Sequence, residues 1–135
     1  MQNGNGASQL RRTIYLIDDE LDSTTILKKI LEQNDFTVNA FNDPRKALEE
    51  FKENGKDCTV ILCDIRMPGM NGFQLARELS QIRPDVRIVL MSSFEINKAE
   101  FEKVLPSTDI AAFITKPVGR NQLLDTVGAL FVDGR

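Results

Sequence analysis

The chain has 135 residues, 41% of them apolar and 27% charged, with a formal net charge of −3 and no histidine. At this length one domain with a real core is expected. The missing imidazole excludes a Ser-His-Asp or Cys-His catalytic centre, histidine-ligated zinc, and a phosphohistidine relay confined to this chain. Any metal must then be held by oxygen ligands, which favours a hard cation such as magnesium. The acidic balance argues against a nucleic-acid surface covering the domain. No apolar stretch approaches the ~18 residues of a membrane span. The N-terminus lacks a charged-then-apolar signal pattern, so a cytoplasmic location is expected.

In chain order, Met1 to Leu10 is polar and Gly/Asn-rich and reads as a flexible leader. The domain proper is expected over residues 11–133. It contains five short apolar runs: Thr13–Ile17, Phe36–Phe41, Thr59–Cys63, Val86–Met91 and Ala111–Thr115. Most are continuous, as in strands buried on both faces. Cys58 and Cys63 lie five apart in one such run, so they should point to opposite faces of a strand. Both read as small buried hydrophobes that form no disulfide with each other.

Helical periodicity fills the gaps. Ile26, Leu27, Ile30 and Leu31 mark a first helix. Asp43-Pro44, then Ala47, Leu48 and Phe51, gives an N-cap, a proline at the first helical position and an apolar stripe. Phe73, Ala76, Leu79 and Ile82 mark a third helix, stopped by Pro84. Glu95 to Leu105 is helix-compatible and ends at Pro106. Leu123, Leu124, Val127, Leu130 and Phe131 form the stripe of a fifth. Alternating strands and helices define an α/β class with a parallel sheet.

The residues at the strand ends carry the chemistry. The first run ends in Asp18-Asp19-Glu20, the third in Asp64, the fourth in Ser92-Ser93 and the fifth in Lys116-Pro117. The second ends in Asn42, with no obvious reactive group. In an open parallel sheet, ligands bind beyond the carboxyl ends of the strands. With strands one and three adjacent, Asp18, Asp19 and Asp64 would converge there, beside the Ser92 hydroxyl and the Lys116 ammonium. Carboxylates ~4 Å apart repel by about 1 kcal/mol per pair in water and by several times more at a protein-like dielectric. Such a cluster calls for a cation, and magnesium would leave coordination positions open for phosphate oxygens. Lys116 could reach the same phosphate, and Ser92 could donate to it. Asp64 stands alone at the end of the central strand and is the better nucleophile for an acyl phosphate. Asp18 and Asp19 are better placed to hold metal, although either could also serve as an N-cap. Gly72 reads as a position for a turn or a close helix approach.

The residues Ile17-Asp18-Asp19-Glu20, Asp64-Ile65-Arg66-Met67-Pro68-Gly69-Met70-Asn71-Gly72, Met91-Ser92-Ser93 and Lys116-Pro117 resemble the receiver domain of two-component response regulators. The resemblance covers residues 12–132, with the four sites in order. It implies a flavodoxin-like, doubly wound five-stranded parallel sheet of order 2-1-3-4-5 with five helices. It implies that Asp64 accepts a phosphoryl group from a partner histidine kinase, a phosphotransfer protein or a small phosphodonor. It places Mg2+ on Asp18, Asp19, Asp64 and the backbone carbonyl of Arg66. Lys116 and Ser92 would contact the phosphoryl group, the bond to Pro117 would be cis, and Pro68 and Gly72 would shape the loop. Phe113, expected in the core, falls at the aromatic switch position and has no hydroxyl. The output would be the surface of the fourth helix, fifth strand and fifth helix, and phosphorylation could drive homodimerisation. The turn Pro106-Ser107-Thr108-Asp109 departs from the glycine-alanine pair common in the family.

Such a domain is a signalling switch rather than an enzyme, alone or as part of a larger regulator. It would catalyse only its own phosphorylation and dephosphorylation. The alternative is an aspartate-nucleophile phosphatase of the haloacid-dehalogenase type. That chemistry resembles an Asp-x-Asp pattern, and here Arg66 stands where the second Asp would act.

Overall fold

The computed structural model describes residues 12–93 and 110–132. Five parallel strands, β1 (Thr13–Ile17), β2 (Thr37–Phe41), β3 (Cys58–Asp64), β4 (Arg87–Ser92) and β5 (Ala112–Thr115), form one sheet in the order β2-β1-β3-β4-β5. Four helices are described: α1 (Leu21–Glu32), α2 (Pro44–Asn54), α3 (Gly72–Ile82) and α4 (Arg120–Val132). The expected leader, the helix over Glu95 to Leu105 and the turn at Pro106 lie outside the described residues. No described helix is long and apolar enough to cross a membrane.

Helices cover both faces. Tyr15, Ile17, Ile61, Cys63, Ile88 and Leu90 pack with Ala47 and Phe51 of α2 and with Leu75, Ala76 and Leu79 of α3. Ile14, Leu16, Val60, Leu62, Val89 and Met91 pack with Leu27 and Leu31 of α1 and with Leu123 and Val127 of α4. The alternation comes from the two-residue period of a strand. β1, β3 and β4 are buried almost throughout, as the continuous apolar runs predict. The edge strands differ. β2 buries only Val38, and β5 only Ile114. An edge strand has a neighbour on one side only, so its composition alone overstates its burial.

Both cysteines lie in the same core cluster rather than on opposite faces. A register shift explains the correction: Thr13 pairs with Cys58, but Ile14 pairs with Val60. The irregularity inserts one residue and reverses the parity of the strand before it. Both thiols are free and buried. Burial pushes the Cys58 thiol up to about 12, which removes it as a nucleophile near neutral pH.

Helix starts are written in local chemistry. The Asp43 side chain accepts from the Arg45 amide at 2.9 Å, with Pro44 at the first helical position. Asn71 and Gln74 form a reciprocal capping box at 2.9 and 3.0 Å, opening α3 at the loop beyond Asp64. Gly69 in that loop has φ +84°, a conformation glycine adopts without strain. Ile26, expected in the α1 stripe, is 58% exposed; Leu27 and Leu31 carry the packing and Ile30 is half-buried.

Arg83, just past α3, donates to the carbonyls of Gly55 and Cys58 and lies over the Phe51 ring at 5.7 Å. The Phe51 ring also meets Tyr15 edge-on at 5.6 Å. Truncating a buried aromatic ring typically costs ~3–5 kcal/mol. Phe51→Ala is therefore expected to lower the unfolding free energy by about 3–5 kcal/mol, read as a lower urea midpoint at unchanged slope, with the far-ultraviolet spectrum of the residual folded protein retained. An unchanged midpoint would refute this account of the core.

Candidate functional site

β1 and β3 are neighbours, and Ile17 pairs with Cys63. Their next residues therefore emerge side by side at the carboxyl edge of the sheet. Asp18 is fully buried, Asp64 is 6% exposed and Asp19 is exposed. One carboxylate oxygen from each lies within 4.8 Å of the others. This is the convergence expected from the strand-end pattern.

Asp18 is held at every polar atom. Its amide donates to Phe41 O at 3.1 Å, and Oδ1 accepts from the Glu20 amide at 3.0 Å. Oδ2 accepts from Lys116 Nζ at 2.6 Å, and the backbone carbonyl accepts from Asn42 Nδ2 at 2.8 Å. Asp18 does not cap α1: Glu20 occupies the N-cap position without a side-chain cap.

Lys116 lies just beyond β5 and reaches back over the pocket. Its Nζ lies 3.4 Å from Asp64 Oδ2 and 3.6 Å from Glu20 Oε1. Its amide donates to Ser92 O at 2.7 Å, tying the ends of β4 and β5 together. The Lys116–Pro117 bond is cis. Ser92 ends β4 opposite Thr115 and is buried, while Ser93 is exposed. Ser93, Glu20, Ile26, Lys116 and Pro117 line a cleft of about 510 Å3 beside the carboxylates.

The electrostatics stem from this crowding. Burial first, then the Asp18 charge, raise Asp64 to about 6, against the opposing pull of Lys116. Burial alone would lower the Lys116 ammonium. The Asp18 hydrogen bond and the charges of Asp18 and Asp64 outweigh it, and the net shift is upward. Lys116 therefore stays protonated. One ammonium among three carboxylates leaves a net negative site of oxygen donors, the chemistry that suits a hard divalent cation.

Gly72 opens α3 against the strand end that carries Asp64. Its amide donates to Ile65 O at 2.7 Å. A Cβ there would collide with the Asp64 carbonyl oxygen and sit 2.8 Å from Ile65 Cα. Close helix approach, one of the two sequence readings, is what this glycine permits. Pro68 and Arg66 are exposed in the intervening loop, Arg66 two residues beyond Asp64.

Phe113 departs from expectation. It is 37% exposed and belongs to neither core cluster. It alternates with the buried Ile114 on an edge strand, so it points away from the face that α1 and α4 cover. Asn42 and Thr24 join the site although neither carries a reactive signature in the sequence. The signal for Asn42 is positional: β2 pairs with β1, so its end residue must lie beside Asp18.

A family model described as the response regulator receiver domain matches residues 14–128. A putative two-component response regulator of Arabidopsis thaliana, ARR21, is 33% identical over 84% of this chain and 18% of its own length. The response regulator receiver protein CpdR of Brucella abortus is 27% identical over 90% of this chain and 98% of its own. The chain spans about a fifth of the first curated relatives it matches. Among solved structures, the CheX-CheY-BeF3-Mg+2 complex of Borrelia burgdorferi matches with a TM-score of 0.82 at 20% identity, covering 94% of each chain. A receiver domain protein of Clostridium thermocellum matches at 0.80 and 21%, covering 90% of this chain and 95% of its own.

The sheet order and the strand-end carboxylates define a receiver-type α/β domain. The chain belongs to the response regulator receiver domain family, whose general function is signalling by phosphorylation.

Asp64, raised from 3.8 to about 6, favours the fold below the lower value and loses that contribution as pH rises through the upper one. In metal-free protein at pH 7.5, Asp64→Asn should therefore melt several degrees above wild type. The gap should close towards pH 4. Thermal unfolding in excess chelator reads this, and equal melting at both pH values would count against the repulsion.

Proposed function

We propose that this chain is a phosphorylation-dependent switch in which Asp64 is the phosphoacceptor. The observation that carries the reading is the meeting of Asp18, Asp19 and Asp64 with Lys116 at one strand-end pocket. An Asp64 carboxylate oxygen attacks phosphorus and forms an acyl phosphate. The bond from phosphorus to the donor breaks, and the donor keeps its electron pair. The donor is a phosphohistidine of a sensor kinase or phosphotransfer protein, or a small molecule such as acetyl phosphate. Water later cleaves the acyl phosphate and returns the carboxylate.

The residues fit magnesium. Asp18, Asp19 and Asp64 offer oxygen donors within a single ion's reach, and the Arg66 carbonyl is the fourth ligand the reading assigns. When bound, the ion supplies positive charge to the phosphoryl oxygens. Lys116 shares its ammonium between Asp18 and the phosphoryl group, and Ser92 donates to that group from the end of β4. Phe113 then reports the change on β5, and the surface of the fourth and last helices with β5 carries the output. Pro68, Gly72 and Pro117 hold the loops in shape. The functional domain is residues 11–133 and works in the cytoplasm, with dimerisation on phosphorylation as one route to output. The phosphatase alternative lacks its general acid, because Arg66 occupies the position of the second aspartate.

Incubation with magnesium and acetyl phosphate should add one phosphoryl mass that is lost under mild base. Asp64→Asn should show no such adduct, and excess chelator should abolish it in wild type. A labile adduct that persists in Asp64→Asn would overturn the assignment. Magnesium should also raise the melting temperature of wild type by mass action, and much less that of Asp19→Asn. Equal shifts would remove Asp19 from the ligand set.

A further inference from the structure

We propose that Asn42, at the carboxyl end of β2, is a positioning residue for the acidic pocket: it clamps the peptide that joins Asp18 to Asp19. The inference rests on the reading of Asp18, Asp19 and Asp64 as a magnesium-dependent phosphoryl site. It adds to that reading a residue with no chemistry of its own in the reaction.

Asn42 Nδ2 donates to the Asp18 backbone carbonyl at 2.8 Å and to Thr24 Oγ1 at 3.0 Å. A carbonyl only accepts, so the atom facing it must be the amide nitrogen. The Thr24 hydroxyl gives its proton to Leu21 O at 3.0 Å, which leaves its oxygen to accept from Asn42. Both amide protons of Asn42 thus have a partner. Thr24 is buried in the first turn of α1. One side chain therefore joins the ends of β1 and β2 to the start of α1.

The bond to Asp18 acts on Asp19 through covalent geometry. The Asp18 carbonyl and the Asp19 amide share one rigid plane. The other polar atoms of Asp18 are held by Phe41, Glu20 and Lys116. Fixing its carbonyl as well fixes the plane from which Asp19 departs. Asp19 is the exposed carboxylate of the three, and repulsion from Asp18 and Asp64 pushes it outward. Without the clamp the peptide is free to turn and Asp19 to move away. Asn42 is itself exposed, so its hydrogen bonds compete with water and add little to global stability. The effect on the pocket should therefore exceed the effect on folding.

The test uses Asn42→Ala, Asn42→Gln, Thr24→Val and Thr24→Ser in the full chain. Asn42→Gln keeps charge and polarity at an exposed position and guards against loss of fold. Calorimetric titration with magnesium alone should show the dissociation constant rising about tenfold in both Asn42 variants and in the same direction in Thr24→Val, while Thr24→Ser stays close to wild type. In metal-free protein, the Asp19 amide resonance should move, and hydrogen exchange at the Asp18 and Glu20 amides should quicken. Val38→Ala, a core change on the same strand, should lower the melting temperature without altering magnesium affinity. If wild type binds magnesium and the Asn42 variants match it in affinity and in the Asp19 resonance, the clamp is overturned and the phosphoryl reading stands. If Val38→Ala weakens magnesium binding as much as they do, the effect is one of stability and the clamp is likewise overturned. If wild type binds no magnesium and takes no label, the phosphoryl reading itself falls.

Discussion

The arrangement depends on mutual repulsion held in check. Three carboxylates stand within 4.8 Å at one edge of the sheet, and left to themselves they would separate. At an effective dielectric of about 20, two charges 4 Å apart cost ~4 kcal/mol. β1 and β3 prevent the separation because both are buried along their length and locked in parallel register. Lys116 offsets part of the charge from the far end of the chain. The hydrophobic core thus supplies the constraint, and the pocket stores the tension.

The surrounding polar detail supports that tension. Glu20 and Asn42 fix Asp18 from two sides. Gly72 lets α3 begin directly against the strand end that bears Asp64, and the Asn71–Gln74 box secures that beginning. α1 and α3 both start at this edge, so the positive ends of their backbone dipoles face the acidic side of the sheet. The neutral contacts are worth about 0.5–1.5 kcal/mol each, and the Glu20 bond to the Asp18 carboxylate about 1.5–3 kcal/mol. Their value is geometric, because each removes a way for a carboxylate to relax.

The alternation of strands and helices and the strand-end places of Asp18, Asp19, Asp64 and Lys116 are legible in the sequence because strand periodicity and strand-end position are local signals; the sheet order that makes these residues meet is what the resemblance to receiver domains implies. The Asp43-Pro44 cap is legible for the same reason. The features that escape depend on tertiary placement. Cys58 changes face through a register shift in its pairing with β1, which no pattern within the strand records. Spacing assigns Ile26 to the core, yet the α1 stripe is narrower than its apolar content. Aromatic residues are usually buried, but an edge strand offers Phe113 less cover. Asn42 draws no notice because an amide has no reactivity, and its contacts emerge only once β2 lies beside β1.

The position of Lys116 suggests how charge at the pocket reaches the rest of the fold. Its ammonium lies closer to Asp18 than to Asp64, at 2.6 against 3.4 Å. Under the proposed reading, a phosphoryl group on Asp64 adds negative charge on the side where the lysine is now the more distant. The balance of attraction then shifts towards Asp64. Lys116 can follow that shift by rotation of its four-carbon side chain, because only its amide is tied, to the Ser92 carbonyl. Under the same reading, the ends of β4 and β5 stay joined while the ammonium is redistributed between Asp18 and Asp64. Of the two strands β5 is the less buried, and Phe113 on it is partly open to solvent.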